Sequence, residues 1–181
     1  MIPTEKKSYV PGVDENIIQS SVYDAGGTRI SRTEGRSSTF YYYGDEGLIY
    51  SDGAADNTYI RGIEGTVDAA YLGDDYSIYA TDVQGSTYSL IGDTLERDVS
   101  YTYSDFGETT VSGNTSNEIC YTGAVHDSTT GMYYMNARYY EPDTGRFISQ
   151  DTYRGEDEDA GTWHLYAYCA NNPVNQHAES R

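Results

Sequence analysis

The chain is poor in cysteine, with 2, in proline, with 4, and in the bulkiest apolar rings, with 1 Trp and 3 Phe among 181 residues. Cys120 and Cys169 lie far apart, with no CxxC and no Cys/His ligand spacing. That excludes a zinc site or a redox motif and leaves buried free thiols as the expectation. Basic residues are also scarce: 11 Lys and Arg stand against 29 Asp and Glu, a net charge of -18. Such a surface repels a phosphate backbone, so no nucleic-acid partner is expected. No apolar run reaches the roughly 18 residues of a membrane-spanning helix, so no membrane span is expected. The start, Met1-Ile-Pro-Thr-Glu-Lys-Lys, has no apolar stretch of the signal-peptide kind. Export, if it occurs, is expected through a larger chain.

Tyrosine fills the gap left by the missing rings, with 21 residues. An acidic chain with few aromatics would read as disordered, but aromatics at 14% argue for a folded one. Tyr buries a large ring yet needs a partner for its hydroxyl, which suits sheets that are apolar on their rings and hydrogen-bonded at their tips.

The tyrosines follow a repeat. An aromatic residue, then Asp, then Gly recurs in Tyr23-Asp24-Ala-Gly-Gly27, Tyr43-Gly-Asp45-Glu-Gly47, Tyr79-Ala-Thr-Asp82-Val-Gln-Gly85 and Tyr103-Ser-Asp105-Phe-Gly107. Related turns are Asp127-Ser-Thr-Thr-Gly131 and Asp143-Thr-Gly145. With Gly65 included, successive glycines are 20, 18, 20, 22, 24 and 14 residues apart. The unit reads as a β-hairpin: Asp opens the turn by bonding its own backbone, and Gly supplies the positive φ. Flanking residues alternate, as in Val99, Tyr101 and Tyr103 against Ser100, Thr102 and Ser104, or Tyr88 and Leu90 about Ser89. One short helical turn is expected within Trp163 to Cys169.

A lone hairpin is marginal, so about seven of them are expected to pair laterally. The expected fold is all-β, an antiparallel β-hairpin repeat array forming a curved sheet with little helix. Its unpaired edges invite more of the same, as in a section of a larger array. The chain divides into an irregular leader over 1–21, hairpin repeats over 22–120, a distinct C-terminal region over 121–175 and a frayed tail over 176–181.

The repeats resemble the tyrosine-aspartate (YD) repeats of Rhs proteins, and the C-terminal region resembles the Rhs repeat-associated core. The residues that carry the second likeness are Tyr121-Thr-Gly123, then Asp127 through Gly131-Met-Tyr-Tyr134-Met-Asn-Ala-Arg138-Tyr-Tyr140-Glu-Pro142-Asp-Thr-Gly145-Arg-Phe147-Ile-Ser149-Gln-Asp151, and Leu165-Tyr166-Ala-Tyr168-Cys-Ala-Asn171-Asn172-Pro173-Val174-Asn175. The resemblance implies a spiralling β-shell that closes into a cocoon, with the core as a seal. Bacterial members include polymorphic toxins and the C subunit of Tc toxins; teneurins use a similar shell at animal cell surfaces. The implied partners are the rest of the shell and a C-terminal toxin domain. The implied location is secreted or cell-surface, within a larger bacterial protein.

The same resemblance implies an aspartic autoprotease, in which two nearby carboxylates share a proton and activate water. Arg138 and Asp151, 13 residues apart, match the arginine and the first aspartate of that site. The second aspartate, expected just after Asn175, is replaced by Gln176-His-Ala-Glu179-Ser-Arg181, and Thr152 stands where a proline follows the first. One carboxylate cannot run dyad chemistry, so the chain is not expected to be an enzyme, and it is read as one piece of a shell or a shortened product. Arg138 is instead expected to stack on Tyr134 or Tyr140, or to pair with an acid. The acidic run Gly155 to Gly161 lacks the ligand spacing of a calcium loop and reads as a solvated loop. His126, His164 and His177 form no triad spacing, and no cofactor or metal is expected. Three functions follow from these readings: a structural shell segment that encloses or seals a toxin cargo, an autoprotease that releases it, or a carbohydrate or cell-surface binding module whose exposed tyrosines stack on the partner.

Overall fold

The computed structural model describes residues 6–11, 17–135, 138–149, 166–169 and 172–173. They form the all-β curved sheet expected from the sequence. The strands are β1 (Lys6–Pro11), β2 (Ile17–Tyr23), β3 (Arg29–Glu34), β4 (Ser37–Gly44), β5 (Gly47–Asp52), β6 (Asn57–Arg61), β7 (Val67–Leu72), β8 (Asp75–Thr81), β9 (Thr87–Gly92), β10 (Arg97–Tyr103) and β11 (Thr109–Ser112). A second set comprises β12 (Val125–Asp127), β13 (Met132–Met135), β14 (Arg138–Glu141) and β15 (Arg146–Phe147). The first eleven pair in strict chain order into one antiparallel meander, the wall, and the last four into a small inner sheet. Residues read as an irregular leader therefore include β1 and the start of β2. Their signal was hidden because the buried positions there hold Gln19 and Ser21 instead of tyrosine.

Each twenty-residue period is one hairpin plus the strand that returns from it. The turn chemistry is visible at Asp24 and Asp82. Asp24 Oδ1 accepts the Thr28 N–H at 2.9 Å, and Asp82 Oδ1 accepts those of Gln84 and Ser86 at 2.8 and 2.9 Å. Gly27 and Gly85 take φ of 87° and 82°. In the turn after Tyr103 the opening residue is Ser104, not Asp105, since the Ser104 hydroxyl accepts the Glu108 N–H at 3.0 Å.

The same backbone turn closes β9–β10, with Gly92 N–H bonded to Glu96 O and Leu95 N–H to Gly92 O, but the left-handed slot is filled by Leu95 at φ 61°. Leu95 is largely exposed and makes no compensating burial. Leu95→Gly is expected to raise stability by about 1 kcal/mol, read as a shift in denaturation midpoint at unchanged slope.

After the turns of the β2–β3, β4–β5, β6–β7 and β8–β9 hairpins the register slips by one residue, which makes a bulge. The bulge breaks simple alternation. It explains why Tyr88 points outward while Leu90 is buried, although the sequence pattern put both on one face. Beyond each bulge the inward residues face one another in register: Tyr41 and Ser51, Tyr59 and Ala70, Tyr79 and Leu90. With Tyr101 of β10 these make a ladder of buried tyrosines, Tyr41, Tyr59, Tyr79 and Tyr101, along the inner face of the wall.

Both faces of the inner sheet are covered. Register places Tyr133, Arg138 and Tyr140 on one face and Tyr134 and Tyr139 on the other. From the first, the Tyr133 hydroxyl meets Thr109 and the Gly107 carbonyl, and the Tyr140 hydroxyl donates to Phe106 O at 2.8 Å. From the second, the Tyr134 hydroxyl accepts the Arg29 N–H at 2.9 Å, and the Tyr139 hydroxyl lies 2.9 Å from Ser21 Oγ. The two ends of the wall thus grip opposite faces of one small sheet, and the wall curls around it. The short helical turn that the structure describes is Tyr121–Gly123. Of the span Trp163 to Cys169, where a helical turn is expected, residues 163–165 lie outside the described residues, and 166–169 form no helix of their own.

Candidate functional site inside the curl

Between wall and inner sheet, residues 113–119 cross the curl as an extended strap. It enters at Gly113, whose φ is 113° and where a Cβ would come 2.6 Å from Asp98 O, so only glycine lets the chain turn inward there. The tyrosine ladder then reads the strap. Tyr79 donates to Asn117 Oδ1 at 2.6 Å, Asn117 Nδ2 donates to the Tyr101 hydroxyl at 3.0 Å, and Tyr41 donates to Glu118 Oε1 at 3.4 Å. Asn117 also closes on its own backbone through Ile119 N–H and O at 2.9 and 2.8 Å. Burial, reinforced by the Cys120 thiol, pushes the Tyr101 hydroxyl up to about 12, so the ladder stays protonated and able to donate. Asn117→Ala strands the Tyr79 hydroxyl in the interior and takes one of two partners from that of Tyr101, and a loss of about 2 kcal/mol in thermal or denaturant unfolding is expected.

At the β2–β3 end the inner face carries charge. Arg29 Nη1 lies 2.6 Å from Asp127 Oδ2, Arg32 Nη1 2.6 Å from Asp127 Oδ1, and Arg32 Nη2 2.6 Å from Glu118 Oε1. Gln19 Nε2 adds a bond to Asp127 Oδ2 at 2.7 Å, and Arg32 Nε sits 3.2 Å from Glu34. Arg29 and Asp127 have no solvent-exposed side-chain surface, and the Arg29 guanidinium is held between the rings of Tyr41 and Tyr134, 4.6 and 4.5 Å from their centroids. Burial alone would raise the Asp127 carboxyl, but Arg29 and Arg32 and their hydrogen bonds outweigh it and leave it below the ordinary carboxylate range. For Glu118 burial wins over the same arginines, and its carboxyl is held above that range.

Arg138 is placed with its guanidinium 3.7 Å from the Phe147 ring centroid. Tyr134 pairs with Tyr139 and so lies on the opposite face, which removes it as the stacking partner the sequence suggested; Tyr140 keeps to the same face as Arg138. Asp151, Glu179 and the acidic run 155–161 lie outside the described residues, as do His164 and His177. His126 packs against Tyr133 with tilted rings 4.8 Å apart, and burial lowers its pKa. Cys120 is a buried thiol, and Cys169 is half-buried. Among the described residues no group of three or more His, Cys, Asp or Glu is arranged to hold a metal ion. No helix among them is long and apolar enough to cross a membrane.

Sequence reasoning singled out Asp127 only as a turn former and did not find Arg29, Arg32, Glu118, Asn117 or Gln19. A usable signal existed. In the residue slot just after each turn the sibling hairpins carry Leu48, Val67, Thr87 and Thr109, and an arginine in that slot at position 29 is the odd member of the series.

The fold defines the class as all-β: among the described residues, an eleven-stranded antiparallel meander curls around a four-stranded inner sheet. The structure resembles those of TcdB2–TccC3. The one solved without the hypervariable C-terminal region matches with a TM-score of 0.65 at 16% identity, covering 95% of this chain and 10% of that one. The Photorhabdus luminescens Tc holotoxin pore matches with a TM-score of 0.60 at 15% identity, over 95% of this chain and 10% of that one. At these identities the likeness is one of fold. By sequence the chain is 32% identical over 161 residues to the tRNA nuclease WapA of Bacillus subtilis strain 168, covering 84% of this chain and 7% of WapA. The tRNA(Glu)-specific nuclease WapA of Bacillus subtilis subsp. natto matches at 31% with the same coverage. The chain therefore corresponds to a small section of these proteins, and no protein-family profile matches it.

Proposed function

We propose that this chain is a wall-and-seal section of an Rhs-type toxin shell, in which β1–β11 are wall and the strap and inner sheet, as the repeat-associated core, close the space where a C-terminal toxin segment is held. The observation that carries the reading is the inner sheet gripped on both faces by the two ends of one wall. Among the described residues, the open cleft beside the 44–47 turn, lined by Tyr43, Arg61, Ile119 and Tyr134 among others, has a volume of about 610 Å³. That is the size of a small-molecule pocket and far short of a folded domain. Among the described residues β1 and β11 each pair on one side only, which leaves either edge of the wall available to further repeats. In this reading the chain is secreted or displayed as part of a larger bacterial polypeptide, and its partners are the rest of that shell and the segment it encloses.

The experiment is a graft. This chain replaces the matching section of TcdB2–TccC3, and protease resistance of the hypervariable C-terminal region is followed. Resistance equal to the parent is expected, and digestion at the rate of a shell lacking the section would sink the reading. The section is proposed to do no chemistry of its own. A reporter fused after Arg181 is expected to stay attached; its release, abolished by Asp151→Asn, would establish the autoprotease instead.

One observation favours a second reading, attachment to a carbohydrate or cell surface. Cross-strand register on the outer face lines up Tyr42, Tyr50, Thr58, Tyr71 and Tyr76, with ring pairs at 5.4 and 5.2 Å and Tyr42 and Tyr71 about half exposed. Such rings can stack on sugars. A glycan-array signal lost in Tyr42→Ala/Tyr71→Ala would support it, and the absence of any signal would remove it.

A further inference from the structure

The wall offers the inner sheet several docking places that are nearly alike. The β2–β3, β6–β7, β8–β9 and β10–β11 turns share one backbone geometry, with the same pair of turn hydrogen bonds and a positive-φ glycine at Gly27, Gly65, Gly85 and Gly107. The hydroxyls that hold the inner sheet mostly read that common geometry. Tyr134 meets backbone groups of Gly27 and Arg29, Tyr133 that of Gly107, Tyr140 that of Phe106, and Tyr121 that of Asp105. Contacts of this kind cannot tell one turn from another, because every turn presents the same carbonyls and N–H groups.

One hairpin is different on its inner face. In β3 the slot after the turn holds Arg29, where the siblings have Leu48, Val67, Thr87 and Thr109; the slot beyond the bulge holds Arg32, where the siblings have Ser51, Ala70 and Leu90. The strand opposite makes room. Ser21 faces Arg32, where Tyr41, Tyr59 and Tyr79 face the sibling residues. The vacated volume takes both guanidiniums and the Tyr139 hydroxyl. Asp127, at the end of the first inner strand, answers both arginines with its two oxygens, and Glu118 on the strap answers the second.

We infer that the Arg29–Arg32 pair is the address at which the inner sheet docks: it selects one hairpin from a set of near-identical ones and adds little to the strength of the closed structure. The cluster adds little strength because it is incompletely satisfied. Among the described residues, Arg29 Nε and Nη2, Gln19 Oε1 and Glu118 Oε2 are buried without a hydrogen-bond partner. A cluster shaped for stability would not leave such atoms, whereas buried charges of opposite sign penalise every wrong docking by leaving both sides unpaired. The inference is independent of what the shell encloses.

The test uses the full chain with four near-isosteric neutral substitutions, Arg29→Met, Arg32→Met, Glu118→Gln and Asp127→Asn, compared with the parent by amide NMR and hydrogen exchange. The denaturation midpoint is expected to stay close to that of the parent and protection in β6–β9 to be unchanged. Resonances from Val125 to Phe147 are expected to split or broaden, with protection there falling about tenfold or more. A single sharp set of resonances with undiminished protection in the inner sheet would overturn the inference. So would loss of the wall together with the inner sheet, since that would make the cluster a source of stability. A companion variant, Arg32→Met/Glu118→Gln, keeps the Arg29–Asp127 pair and is expected to retain one set of resonances; splitting there as severe as in the fourfold variant would also count against the pair as the address.

Discussion

Asp127→Asn is expected to lower unfolding free energy by roughly 3–5 kcal/mol, one of the largest single-site losses in the chain, because it leaves two guanidiniums inside the curl with no full counter-charge. The amide that replaces the carboxylate keeps the volume but offers one acceptor oxygen where Arg29, Arg32 and Gln19 now use two. Neither arginine can escape by losing its proton. In the parent, burial works against the charge of Arg29 and Asp127 more than offsets it, so the substitution removes the partner that holds the guanidinium in place. The backbone of the 127–131 turn does not depend on the side chain, since Thr130 and Gly131 N–H groups bond to Asp127 O. The loss is therefore assignable to the charge cluster. Chemical denaturation of both chains at pH 7 measures it, and a difference under about 1 kcal/mol would mean that water reaches the arginines.

The pH dependence follows from the two carboxylates, which act in opposite senses. The Asp127 pKa is depressed on folding, so its contribution is present above its unfolded value near 3.9 and is lost as pH falls through the folded value. The Glu118 pKa is raised on folding, so its contribution is full below its unfolded value and fades as pH rises through the folded one. Glu118→Gln is accordingly expected to cost less at pH 7 than Asp127→Asn.

Much of the wall was legible in the sequence, because it rests on local chemistry. Asp24 and Asp82 form turns for the reason Asp does so anywhere, and glycines at positive φ mark one rim of the sheet at the twenty-residue period. The opposite rim was harder to see, since one of its turns hides behind Leu95 and another behind the bare Gly73-Asp74 link. The site was illegible for a different reason. The partners Arg29 and Asp127 are 98 residues apart, and Arg32 and Glu118 are 86 apart, so nothing in local periodicity relates them. Acidic and basic residues also read as solvated by default, and in a chain with net charge -18 two buried carboxylates are lost among the rest. The Arg138 stack was partly legible. Alternation fixed its strand face, but the ring it meets comes from β15, a two-residue strand with too little sequence to announce itself.

The ring cluster on the other face of the inner sheet bears a second large effect. Tyr140 is wholly buried, with Tyr168 at 4.4 Å and Phe147 at 5.7 Å between ring centroids, and its hydroxyl reaches across to the Phe106 carbonyl of the β10–β11 turn. Tyr140→Ala removes the ring from a site whose walls are themselves rings locked by their own contacts, so the space cannot collapse, and a loss of roughly 3–5 kcal/mol is expected. Tyr140→Phe keeps the ring and removes only the bond to the wall, for a loss of about 1 kcal/mol. The two variants separate packing from docking. If the hydroxyl mainly fastens the inner sheet to the β10–β11 end, the Phe variant will lower hydrogen-exchange protection in β13 and β14 while leaving β6–β9 as they were. Equal losses in the two variants would instead mean that the ring contributes little and that the carbonyl of Phe106, left without its donor, governs the cost. Because this face is held by rings and turn backbone and the opposite face by charge, a defect at Tyr140 should loosen one grip of the wall and leave the Arg29–Asp127 grip in place.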